Sequence, residues 1–150
     1  MIKQNEPQPP GDAIQTRILD EPSRAIGVKG FDRWRNPRFY GEMENAHSSA
    51  SLTGACGDTM VMFFRAEGER VIDTSYMTTG CSSSSIAGSF AAEMTRGKTF
   101  TEILDMSGAD ILREIGTFPI DEEHCAHLAI RTMQEAVNNY MKKQTASQQK

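Results

Sequence analysis

The hydrophobic pattern of the chain changes its period at Gly80, and this change limits the fold more than any other feature. Before it, Met60–Phe64 is a short apolar run, and Val71–Thr79 alternates between two faces, the period-two pattern of a half-buried strand. The turn-forming segment Ala66–Glu69 lies between them and predicts a hairpin. The small, polar stretch 41–57 has room for one edge strand. Together these segments predict a three-stranded antiparallel sheet.

After this point the apolar residues recur at helical spacing. The serines 82–85 are N-cap candidates for a helix that Gly97 ends. Thr99–Glu102 has the form of a capping box, which begins a second, short helix. A third helix is predicted over 107–116, and a fourth follows it.

The fourth helix is the longest and begins near Pro119 and Asp121. Its apolar residues form one stripe at i, i+3, i+4 and i+7 spacing, comprising Ala126, Ala129, Ile130, Met133, Ala136, Val137, Tyr140 and Met141. Strands followed by helices indicate the α+β class. We therefore expect a small antiparallel three-stranded sheet with helices packed on one face.

The chain has 150 residues, enough for one ordinary domain that buries roughly two-thirds of its unfolded surface. Three of its six prolines lie in the first ten residues, where large apolar side chains are sparse. This composition predicts a flexible extension over 1–30, with room for a short helix near Ala13–Leu19. The ordered domain is predicted over 31–143, and the polar segment 144–150 is predicted to be a disordered tail.

Charge and hydropathy exclude two classes of partner. Sixteen Lys and Arg against twenty Asp and Glu give a net charge of −4 and a pI near 5.4, whereas a nucleic-acid-binding domain usually has a basic face. No apolar run reaches the roughly 18 residues of a membrane span, and the first residues lack the apolar stretch of a secretory signal. We therefore expect a cytoplasmic protein that contacts neither nucleic acid nor a membrane.

The three cysteines are widely spaced and odd in number, so they do not form a disulfide framework. Cys56 lies in a loop before a strand, Cys81 between a strand and a helix, and Cys125 in the first turn of the long helix. Because all three lie at element ends, the backbone can present them to one pocket that opens to solvent. At the helix N-termini of Cys81 and Cys125, the helix dipole is expected to lower the thiol pKa below about 8.5.

Asp58 and His124 lie within two residues of these cysteines and add an oxygen and an imidazole. With the three thiols they form a ligand set for tetrahedral zinc or an iron–sulfur cluster. Buried, inert thiols remain an alternative, since no Cys-x-x-Cys pair is present. A hydrolase with Cys125 as nucleophile and His124 as base is disfavoured, because successive helical residues point about 100° apart.

Five motifs together resemble the NifU/IscU-type iron–sulfur cluster assembly scaffolds over about residues 31–143. They are Asp-Arg-Trp-Arg-Asn-Pro-Arg-Phe-Tyr-Gly at 32–41, Ala-Cys-Gly-Asp-Thr-Met at 55–60, Thr-Gly-Cys-Ser-Ser-Ser at 79–84, Glu93 with Gly-Lys-Thr at 97–99, and His-Cys at 124–125. The resemblance implies an α+β domain that is not an enzyme. Such a domain receives persulfide sulfur from a cysteine desulfurase, takes up iron, builds a [2Fe–2S] cluster and transfers it to apo-proteins.

The resemblance also implies a role for each candidate residue. Cys56, Cys81 and Cys125 match the three cluster cysteines, and Cys125 matches the persulfide acceptor. Asp58 matches the aspartate whose oxygen ligation keeps the cluster labile, and His124 matches the histidine beside the last cysteine. Such sites also hold Zn²⁺, and we expect a monomer or a weak homo-oligomer.

Two departures refine this resemblance. Scaffolds served by a dedicated Hsp70/J-protein pair carry Leu-Pro-Pro-Val-Lys before His-Cys, whereas residues 118–123 read Phe-Pro-Ile-Asp-Glu-Glu, with Glu122 at the lysine position. The resemblance therefore does not extend to recognition by those chaperones.

The alternative function is a zinc-binding sulfur-acceptor or relay protein that carries no iron. That branch has an insertion between the second and third cysteines and an arginine in place of the histidine, and this chain has neither.

Overall fold

The computed structural model describes residues 24–148, which form five helices, three strands and one short 3₁₀ helix. The expected helix near Ala13–Leu19 lies outside the described residues. In chain order the elements are α1 (Arg24–Arg35), β1 (Ser48–Thr53), β2 (Thr59–Glu67), β3 (Arg70–Thr78), α2 (Ser82–Thr95), α3 (Phe100–Leu104), α4 (Gly108–Ile115), the 3₁₀ helix Ile120–Glu122 and α5 (His124–Gln148).

The sheet has the order β1-β2-β3, and both pairings are antiparallel. The predicted edge strand in the segment 41–57 is β1, and the predicted three-stranded sheet is confirmed. The hairpin is tighter than expected, because β2 and β3 continue to Glu67 and Arg70 and leave a two-residue turn. Gly68 has φ of 62° in this turn, a conformation that suits glycine. A register shift between Arg65 and Ala66 adjusts the pairing beside the turn.

One face of the sheet carries the core. In β2 the buried residues alternate with half-buried ones, and Met60, Met62 and Phe64 have no exposed surface. Helix α5 packs on β1 and β2, while α2 packs on β3 and on α5. This arrangement confirms the predicted α+β class, with helices on one face of the sheet.

Helix α1 ends at Arg35, two residues before Pro37, which disfavours helical geometry at Asn36. A buried arginine anchors the helix to α2. Arg33 is 7% exposed, and its guanidinium donates to Glu93 Oε1 at 2.6 Å and to Ser89 Oγ at 3.1 Å. The α1 helix therefore packs against the domain through a specific polar contact.

The last helix begins later than expected, because residues 120–122 form a 3₁₀ turn and α5 begins at His124. Cys125 is therefore in the first turn, as predicted. The helix extends to Gln148, into the segment 144–150, while α1 begins at Arg24, before residue 31. The predicted division into 1–30, 31–143 and 144–150 remains a prediction. No helix among the described residues is long and apolar enough to cross a membrane.

Candidate metal centre

The three cysteines lie at three chain segments near one end of the sheet. Thr53 pairs with Thr59 at the end of the β1–β2 hairpin, so the intervening loop, which holds Cys56, lies at that end. Met60 pairs with Thr78, which places the end of β3, and hence Cys81, beside the same loop. The N-terminus of α5 supplies the third thiol.

A buried serine joins the β1–β2 loop to the last helix. Ser84 is fully buried in the first turn of α2, and its hydroxyl donates to Asp58 Oδ2 at 2.8 Å. The same oxygen lies 3.4 Å from Cys125 Sγ. One hydroxyl therefore connects the predicted carboxylate ligand with a predicted thiol ligand, although the two residues are far apart in sequence.

The β1–β2 loop can approach the first turn of α2 this closely only because residue 80 is a glycine. A Cβ atom at this position would lie 2.5 Å from Asp58 Oδ2 and would also meet Ser84 Oγ. Both atoms would have to move to accept a side chain. The glycine before Cys81 thus permits the Asp58–Ser84 hydrogen bond.

The 3₁₀ helix brings an unpredicted carboxylate to the thiols. Cys81 Sγ donates to Glu122 Oε1 at 3.5 Å. Donor atoms of Glu122, His124 and Cys125 all lie within 4.8 Å of one another, as a group able to hold a metal ion among the described residues. His124 Nε2 is 3.7 Å from Cys125 Sγ. The expectation that these neighbouring side chains diverge is wrong, because the ring at the helix start bends back towards the thiol.

Cys56 and Cys81 are exposed, whereas Cys125 is only 1% exposed. Burial raises the pKa of the Cys125 thiol to about 11, and the nearby charges of Cys81 and Glu122 act in the same direction. The hydrogen bond between Ser84 and Cys125 opposes this shift only in part. The expected lowering of this thiol pKa by the helix N-terminus is therefore wrong for the metal-free protein, since desolvation by burial is the largest effect on this thiol. Two of the three thiols are therefore exposed and the third is buried, and the group of possible metal donors around Cys125 includes neither Cys56 nor Cys81.

Cys56 faces the other side of the α5 N-terminus. A cleft is lined there by Gly54, Ala55, Cys56, His124, His127, Leu128 and Arg131. His124 therefore lies between Cys56, across the cleft, and Cys125 within its own helix. Cys56 also acts on the Cys125 thiol as a nearby charge that raises its pKa.

Sequence reasoning missed two residues of this site. Ser84 is one of the predicted N-cap candidates, but the N-cap of α2 is Cys81, and no side chain caps the helix. Ser84 is the third residue of α2, and its hydroxyl donates to Asp58 on the β1–β2 loop. Glu122 could have been noticed in the sequence, because it stands where the scaffolds served by a dedicated Hsp70/J-protein pair have a lysine.

Comparison with known proteins places the chain in a family. The family model described as NifU-like N terminal domain matches residues 28–147. The iron-sulfur cluster assembly scaffold protein IscU 1 of Archaeoglobus fulgidus is 31% identical over 116 residues, which are 77% of this chain and 76% of the relative. The corresponding IscU protein of Aquifex aeolicus is 32% identical over 119 residues, again covering 77% and 76%.

Structural comparison agrees on the fold. The N-terminal part of a nitrogen-fixing NifU-like protein from Brucella abortus superposes with a TM-score of 0.64 at 14% identity. The match covers 81% of this chain and 97% of that structure. At this identity the likeness establishes the architecture, while the sequence matches establish kinship.

Proposed function

Since the chain belongs to the family of NifU-like N-terminal domains, we propose that it is a scaffold for assembly of an iron–sulfur cluster of the [2Fe–2S] type. The proposed ligands are Cys56, Asp58, Cys81 and Cys125, with His124 as an alternative nitrogen donor. The observation that carries the proposal is the contact of Ser84 with both Asp58 Oδ2 and Cys125 Sγ. This contact holds an oxygen donor and a sulfur donor close to the same hydroxyl, and the other two proposed thiol ligands are exposed.

Iron and sulfur are substrates of this site. A cysteine desulfurase would supply sulfur as a persulfide, and the Cys125 thiolate would attack its outer sulfur. The S–S bond of the donor breaks, the desulfurase thiolate leaves, and Cys125 carries the new persulfide. Reduction of that sulfur to sulfide requires two electrons from an external donor. Because Cys125 is 1% exposed, the attack requires the 3₁₀ turn or the β1–β2 loop to move aside.

Transfer to an apo-protein requires a cluster that is held and then released. Asp58 supplies a hard carboxylate oxygen, which suits cluster iron less well than a fourth thiolate would. Its loop is partly exposed, so it can open without unfolding the core. The proposed transfer step therefore depends on the one weak ligand in the set.

Anaerobic reconstitution with iron, cysteine and a desulfurase tests the assembly role. We expect visible charge-transfer absorption and about two iron atoms per cluster. Serine substitutions at Cys56, Cys81 or Cys125 should abolish the cluster. A protein with all three thiols intact that yields no cluster, or that retains one zinc ion and takes up no iron, contradicts the proposal.

A single substitution tests the release step. Asp58→Ala should make the reconstituted cluster more persistent, measured as slower loss of absorption during incubation with an apo-ferredoxin. Asp121→Ala is the matched control, because it removes an exposed carboxylate of the 3₁₀ turn that is not among the proposed ligands. A cluster that decays faster in the Asp58 variant would refute the assigned role.

A further inference from the structure

The 3₁₀ helix Ile120–Glu122 holds a carboxylate against the proposed site. The Glu122 amide donates to the Pro119 carbonyl at 2.9 Å, which closes the turn and sets the position of the side chain. Glu122 is half-buried, and its Oε1 accepts a hydrogen bond from Cys81 Sγ at 3.5 Å. This carboxylate therefore faces the thiols instead of bulk solvent.

The donor atoms around Glu122 are nearly as close to one another as the ligands of a bound metal ion are. Its oxygen, an imidazole nitrogen of His124 and Cys125 Sγ lie within 4.8 Å of one another. Donors bonded at about 2.0–2.3 Å to one tetrahedral zinc ion are roughly 3.3–3.8 Å apart. The 3.7 Å between His124 Nε2 and Cys125 Sγ is already in this range. Since no pair is more than 4.8 Å apart, the pairs with Glu122 would have to close by at most about 1.5 Å, which rotation of the Glu122 side chain can provide.

The charge around Glu122 also favours a cation. Among the side chains that the structure describes, no Lys or Arg forms an ion pair with Glu122. Its carboxylate lies instead beside Cys81 and within metal-binding distance of Cys125. A divalent ion would neutralise this negative charge and allow the thiols to bind as thiolates.

We propose that Glu122 is a ligand of the first divalent ion that the site binds, together with His124 and Cys125. The inference rests on the proposed scaffold function and adds a ligand to it. The oxygen, nitrogen and sulfur donors suit Fe²⁺ and Zn²⁺ alike. Asp58 and Cys56, on the β1–β2 loop, remain available for further iron.

Zinc affinity of the full metal-free chain tests this ligand. Anaerobic titration against a chromophoric chelator gives the Zn²⁺ dissociation constant of the wild type, Glu122→Gln and Glu123→Gln. The last is a matched control, since it removes the same charge one residue away. We expect Glu122→Gln to weaken binding at least tenfold, because even residues that only orient metal ligands change affinity by about 10–100-fold. Glu123→Gln should weaken binding less than threefold.

A Co²⁺ titration gives a second readout that a general charge effect would not change. Loss of an oxygen ligand should alter the d–d bands of bound Co²⁺ in Glu122→Gln, while Glu123→Gln keeps the wild-type spectrum. Glu122→Asp, which retains a carboxylate, should recover part of the affinity. Equal weakening by both glutamine variants, with unchanged spectra, would overturn the inference.

Failure of this inference differs from failure of the scaffold function. If the wild type and Glu122→Gln both assemble a [2Fe–2S] cluster and bind Zn²⁺ equally well, Glu122 is not a ligand and the scaffold function stands. If the wild type binds Zn²⁺ through Glu122 but assembles no cluster, the ligand stands and the scaffold function falls. Circular dichroism of each variant verifies that the fold is retained.

Discussion

Cys125 in the metal-free, reduced protein should react with iodoacetamide much more slowly than the two exposed thiols. Its side chain is almost inaccessible, and burial raises its pKa to about 11. Alkylation requires the thiolate, so the rate at neutral pH depends on the small ionised fraction. The prediction tests whether the buried Cys125 thiol is protonated and shielded before metal or a partner arrives.

The size of the effect follows from ionisation. With a pKa of about 11, about 0.1% of the thiol is ionised at pH 8, against about 24% for a free cysteine with a pKa near 8.5. This difference slows the reaction about 240-fold, while the greater nucleophilicity of a more basic thiolate recovers about 10- to 18-fold. Ionisation alone therefore predicts a roughly 13- to 24-fold slower reaction, and limited access slows it further.

Peptide mapping by mass spectrometry measures each rate separately. Trypsin places the three cysteines in different peptides, because Arg65 and Arg96 lie between them. The Cys125 rate should rise about tenfold per pH unit from pH 8 to 10. Equal rates for Cys125 and Cys56 at pH 8, or a Cys125 rate that levels off below pH 9, would refute the reasoning.

Three further measurements test the packing around the site. Gly88→Ala should lower the free energy of unfolding in urea by about 1–3 kcal/mol, because its Cβ would lie 2.6 Å from a Tyr76 ring carbon; a change below about 0.5 kcal/mol would contradict this. Arg33→Met should cost about 1–3 kcal/mol by the same assay, less than a fully buried pair, because the Glu93 side chain is 36% exposed; a neutral result would contradict the anchoring role. Stability of the metal-free protein should fall as pH rises from about 8.5 to about 11, because the unfolded Cys125 thiol loses its proton first; Cys125→Ala should weaken this dependence, and an unchanged profile would contradict it.

Local patterns were sufficient to predict most of the elements. The capping box of Thr99 and Glu102 forms as expected, with reciprocal hydrogen bonds of 3.2 and 2.8 Å. It was predictable because both partners lie within one turn. The helix that ends at Gly116 was readable for the same reason. The alternation predicted for 71–79 is interrupted in β3, where Thr74, Ser75 and Tyr76 are all buried, and the strand that alternates is β2. The length of the hairpin turn was harder to predict, because the two-residue turn at Gly68 depends on how far β2 and β3 pair.

Properties that depend on tertiary packing were not predictable in this way. A helix N-terminus alone indicates a lowered thiol pKa, but the packing of α5 on α2 and the sheet buries Cys125 and reverses the direction. The hydrogen bond from Ser84 to Asp58 joins segments 26 residues apart. Asp58 and Cys56 are close in the sequence, whereas only the folded chain brings Asp58 to Ser84.

The candidate site combines a fixed half with a movable half. Ser84 and Cys125 are buried on α2 and α5, and Tyr76 of β3 supports α2 through a 2.8 Å hydrogen bond with Ser85, next to Ser84. Cys56 and Asp58 lie instead on a loop between two strands, so their displacement breaks few core contacts. Asp58 is held to the fixed half through the Ser84 hydroxyl, so breaking this hydrogen bond removes one tie between the loop and α2. Under the proposed function, a cluster would leave from the loop side, and Cys125 would be the last ligand to release it.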